Sequence, residues 1–78
     1  MIQKHNDSFA IRAYSKKELA LTYFPTATTP HAAVNHLMAW VRHCTPLYDE
    51  LLLMGYEKTS KYFTPRQVER IVHYIGEP

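Results

Sequence analysis

With 78 residues, 46% of them apolar and 21% charged, the chain has the size of one domain and too apolar a composition for a disordered segment. Its single cysteine, Cys44, excludes an internal disulfide, and no apolar run approaches the roughly 18 residues that a membrane span needs. A net charge of +2 and a pI near 8.8 permit an anionic partner without demanding one.

Residues 1–8 are polar and unpatterned and read as a loose arm, without a signal-peptide pattern, so a cytoplasmic protein is expected. The run FAIRAY alternates, with Phe9, Ile11 and Ala13 on one side and Ala10, Arg12 and Tyr14 on the other, which predicts a short strand with one buried face. Ser15 and Glu18 form a capping box that starts a helix, and Pro25 stops it near Phe24, because the residue before a proline is pushed out of helical geometry. Its inner side is predicted to hold Leu19, Ala20, Tyr23 and Phe24.

Thr29 caps the longest helix and Pro30 takes its first position. Ala33, Val34, Leu37, Trp40, Val41 and Cys44 recur at helical spacing, so they form the expected core stripe, with Trp40 as an anchor. His31, Asn35 and Arg42 lie on the opposite side. Thr45-Pro46 breaks that helix and begins a third, which Gly55 ends in the left-handed position. Leu47, Tyr48, Leu51 and Leu52 suffice for its inner face, which leaves Leu53 beside acids and Met54 near the edge as a candidate protein contact.

The stretch YEKTSKYF lacks a helical period; Lys61 to Phe63 is expected to be extended and to pair with Phe9 to Tyr14. Tyr56 and Tyr62 bracket two lysines, a pattern that suits either stacking on bases or a half-buried strand face. Thr64 and Gln67 form another capping box, and Gly76 closes the last helix over a core stripe of Val68, Ile71, Val72 and Ile75. The predicted fold is a small α+β domain over residues 9–78, mostly α, with about four helices and one or two short strands.

Chemistry-bearing motifs are few. Only Gly55 and Gly76 are glycine, so there is no phosphate-cradling loop. His36 and His43 stand seven positions apart on one helix, about 10 Å of rise, too far to share one ion. Cys44 sits on an apolar stripe, where a thiol acts as a small hydrophobe. No metal, cofactor or catalytic activity is expected. Basic residues offer more. Arg66, Arg70 and His73 share one stripe of the last helix, preceded by Lys58 and Lys61. Lys16 and Lys17 occupy a helix start, where positive charge opposes the helix dipole.

The blocks FAIRAYSKKELALTYFP, AAVNHLMAWV, LLLMGY and FTPRQVERIVHYIGEP, in this order, resemble a family of small bacterial proteins known as domain of unknown function 4248. The resemblance runs from about Phe9 to Pro78 and implies no activity. The layout of a KKELA helix, a second helix, a GY segment and an FTP-QV-I helix is also similar to the winged helix-turn-helix of MerR-type regulators, where the second helix enters the major groove. The chain departs from that pattern by its extra helix, Pro46 to Met54, and by EKTSKYF in place of an arginine-rich wing. The MerR likeness implies a winged-helix-like accessory or regulatory protein that binds double-stranded DNA. His31, Asn35 and Arg42 would then face bases, and Lys16, Lys17, Lys58, Lys61, Arg66 and Arg70 would hold phosphates. The alternative is a protein-interaction adapter that uses the Leu53 and Met54 edge and binds no nucleic acid.

Overall fold

The computed structural model describes residues 9–78; the expected arm, residues 1–8, lies outside them. Strand β1 (Tyr14–Ser15) leads directly into helix α1 (Lys16–Tyr23), followed by α2 (Pro30–His43), α3 (Thr45–Leu53), strand β2 (Tyr62–Phe63) and α4 (Pro65–Ile75). This is a small α+β domain, mostly α, as its sequence predicts. The two strands are antiparallel, with Tyr14 opposite Phe63 and Ser15 opposite Tyr62.

Capping chemistry sets the helix starts. Ser15 Oγ accepts from the Glu18 N–H at 3.0 Å, and Thr29 Oγ1 accepts from the Ala32 N–H at 3.0 Å. At α4 the box is complete: Thr64 Oγ1 accepts from the Gln67 N–H, and Gln67 Oε1 accepts from the Thr64 N–H. At α1 only half of the expected box forms, because Arg12 Nη2 holds the Glu18 carboxylate at 2.8 Å instead. Helix α3 starts one residue before the expected position: Cys44 precedes it, no side chain caps it, and Thr45 and Pro46 are both helical. It ends in a full Schellman turn, with the Tyr56 N–H on the Leu51 carbonyl (2.9 Å) and the Gly55 N–H on that of Leu52 (3.1 Å). Gly55 has φ +89°, the left-handed geometry that glycine adopts without a Cβ penalty.

The core gathers Leu19 and Ala20 of α1, Ala33, Leu37, Met38 and Val41 of α2, and Leu47 and Leu51 of α3. Tyr14, Tyr56, Phe63, Val68 and Ile71 complete it. Three expectations are corrected here. FAIRAY is not a strand along its length: Tyr14 OH donates to the Ala10 carbonyl at 2.7 Å, which curls the segment back. Tyr14 is therefore buried and stacks on Phe9, while Ile11 is exposed. Trp40 is 49% exposed, because the buried stripe of α2 is turned toward Met38, which meets Tyr56 OH at 3.7 Å. Leu52, expected inside, is 46% exposed beside Leu53. Among the described residues no helix is long and apolar enough to cross a membrane.

Candidate nucleic-acid interface

The first turn of α1, the first turns of α2 and the chain entering β2 enclose an open depression of about 370 Å³. Lys16, Lys17, His31 and Lys61 line it with Val34 and Tyr62, and the hydroxyl-bearing Ser15 and Ser60 complete the wall. Among the described residues no Asp or Glu takes part. Local chemistry puts each group there. Ser15 serves at once as the end of β1 and the cap of α1, so both lysines after it emerge beside the strand pair. The Lys16 N–H is satisfied by the Lys61 carbonyl at 2.8 Å, which fastens the start of α1 to the approach of β2. A tight turn precedes this approach: the Ser60 N–H donates to the Glu57 carbonyl (2.9 Å), and Ser60 Oγ accepts from the Glu57 N–H (3.0 Å).

Lys16 is the most constrained of these cations. Its Nζ donates to the Lys58 carbonyl at 3.3 Å and lies 4.9 Å from the centre of the Tyr56 ring. Burial, and next the positive charge of Arg42, hold its ammonium below the usual lysine range. Arg42 thus reaches the neighbourhood of Lys16 electrostatically, and it shares an exposed face of α2 with His31 and Asn35. Lys58 is exposed in the turn before Ser60. The two bracketing tyrosines separate: Tyr56 is 3% exposed and stacks on Phe63, whereas Tyr62 is 68% exposed at the depression.

The last-helix arginines lie in a different place. Arg66 and Arg70 line a second depression with Glu50, Leu53, Met54 and Glu69. Arg70 Nε binds Glu50 at 2.8 Å, and Nη1 lies 3.7 Å from Glu69, so its charge is already answered. Tyr74 OH donates to the other oxygen of Glu50. Leu53, 88% exposed, and the half-buried Met54 therefore adjoin these arginines. Sequence periodicity put Arg66 and Arg70 on one stripe beside Glu69 but carried no sign of Glu50, which α3 brings to it.

The exposure of Trp40 and the gathering of cations at the first depression are the features that sequence reasoning missed, whereas Tyr62 was weighed for stacking on bases without being placed outward. Trp40 lies across Phe24, ring centres 4.7 Å apart, and borders a shallow surface with His43, Cys44 and Ile75. The strand alternation of Tyr62 and Phe63 was the available signal for an outward Tyr62. Among the described residues no three His, Cys, Asp or Glu side chains come together as metal ligands.

The family described as Domain of unknown function (DUF4248) matches residues 10–78. No curated protein and no solved structure matches the chain.

Proposed function

The chain belongs to the DUF4248 family, whose description names no activity, and we propose from its own residues that it is a small DNA-binding accessory or regulatory protein of winged helix-turn-helix type. In this reading α1 and α2 are the paired helices, and the turn before β2 is a short wing. The carrying observation is the convergence of Lys16, Lys17, His31 and Lys61 on one depression that no carboxylate lines among the described residues. Charges gathered without acids suit a phosphate backbone, and the like-charge pressure of Arg42 on Lys16 is relieved by an anion. His31, Asn35 and Arg42 present the exposed face of α2 to base edges, with Asn35 suited to adenine and Arg42 to guanine. Lys58 adds charge at the wing. Arg70 drops out of the primary surface because Glu50 and Glu69 pair with it, and Arg66 because it lines the second depression rather than the first. The reading involves a cytoplasmic protein and no catalysis.

The test is fluorescence anisotropy against a mixed-sequence duplex at several salt concentrations. Each lost phosphate contact lowers the magnitude of the log-affinity slope by about 0.9. Lys16→Gln with Lys61→Gln should flatten the slope by about two units, while Arg66→Gln with Arg70→Gln should leave it nearly unchanged. Identical binding by wild type and the lysine double variant would sink the reading.

One observation favours a second reading, a protein-interaction adapter. Leu53 is 88% exposed and stands with Met54 among charges of both signs, the makeup of a small contact surface. A duplex titration that is flat at every salt concentration would leave this reading in place.

A further inference from the structure

We infer that the depression between α1, α2 and β2 is a nucleotide-sized subsite for single-stranded DNA, with an unpaired base against the Tyr62 ring and its phosphate among Lys16, Lys17 and Lys61. The inference rests on the phosphate-binding part of the reading above and adds an unpaired strand to the duplex as a partner. Its first support is size: about 370 Å³ lies within the range of clefts that hold one small ligand, and it is far too little for a duplex to enter. A second support is the state of Tyr62. Tyr14, Tyr56 and Phe63 are 6%, 3% and 0% exposed, so the core is already supplied with rings, and Tyr62 at 68% contributes little to it. The pleat that turns Phe63 inward turns Tyr62 out, beside Lys61.

The polar groups are matched to one phosphorylated base. Among the described residues Lys17 and Lys61 form no ion pair. Ser15 and Ser60 each already accept a backbone N–H, and each keeps a hydroxyl proton to donate. Val34 supplies an apolar part of the lining. Within a duplex both faces of a base are covered by its neighbours, so only an unpaired base offers its face to an aromatic ring. Stacking of this kind tolerates any base, and it leaves the lysines and serines of the lining free for the phosphate and sugar.

The experiment compares the full chain on two labelled probes with equal numbers of phosphates, an oligothymidylate and a mixed-sequence hairpin duplex. Wild type should bind the single strand more tightly. Tyr62→Ala should weaken that binding roughly tenfold and leave the hairpin unchanged, while Tyr62→Phe keeps the ring and the affinity. Lys61→Gln should weaken both probes and lower the single-strand salt slope by about 0.7. If wild type binds both probes equally and Tyr62→Ala changes neither, the subsite is overturned while the phosphate-binding reading stands. Binding of neither probe at moderate salt overturns both. Thymidine monophosphate displacing the oligothymidylate at equal phosphate concentration would overturn the strand assignment in favour of a free nucleotide.

Discussion

Gln67 is the buried polar side chain of the core, 3% exposed, and it has two partners on different elements. Its Oε1 accepts from the Thr64 N–H at 2.9 Å, and its Nε2 donates to the Met54 carbonyl at 3.3 Å. One amide thus satisfies the start of α4 and the end of α3 together. Gln67→Leu leaves both backbone groups without this partner, at about 1–3 kcal/mol for each that stays dry. The urea midpoint should fall markedly with an unchanged denaturant slope; a shift under about 0.5 kcal/mol would mean that water replaces the amide. The capping role of Gln67 was legible from Thr64, three residues earlier, but its second bond was not, because Met54 arrives through tertiary packing. Trp40 teaches the converse. Its helical phase suggested a core anchor, yet it is half exposed against Phe24 and Tyr23. Trp40→Ala should therefore cost about 1.5–2.5 kcal/mol, half the value for a fully buried large side chain. Complete loss of cooperative unfolding would show that more of the ring is buried than its accessibility implies.

At the scale of elements, helix starts were readable and strand limits were not. Ser15, Thr29 and Thr64 cap through their own hydroxyls, a bond made within three residues, so sequence carries the whole signal. Strand length depends on a partner distant in the chain, and the pair reduces to Tyr14–Ser15 against Tyr62–Phe63. Between α3 and α4 the visible tie is polar: Glu50 receives hydrogen bonds from Tyr74 and Arg70, which hold its carboxyl below the usual range. Its folded pKa lies below the unfolded value of about 4.3, so the stabilisation is complete above that value and is lost as pH falls through the folded one. Wild type should thus lose more urea stability than Glu50→Gln between neutral pH and about pH 3. The Arg12–Glu18 pair titrates on the same side in both proteins and cancels from the difference. Parallel losses would show that the tie between α3 and α4 carries no net stabilisation.

For the whole molecule, apolar periodicity told which residues go inside, and Leu19, Leu37, Val68 and Ile71 are all there. It could not tell which exposed residues become neighbours. Lys16 and Lys61 come from opposite ends of the chain and meet through one backbone hydrogen bond, while Arg70, local to Arg66, is drawn to Glu50. The candidate surface was therefore legible as a set of cations and illegible as a place. That meeting point also has a kinetic side. Helices α1, α2 and α4 begin from local caps, so their first turns can form on the submicrosecond to microsecond scale of helix growth. Joining Tyr14 to Phe63 closes a ring of chain that contains three of the four helices, and the entropy of that closure comes due late in folding. The walls of the depression lie on the two sides of this closure, so the site is absent until the ring is shut. An anion held between Lys16 and Lys61 would accordingly act as a clasp, slowing the opening of the molecule at its seam while leaving helix content in the opened form untouched.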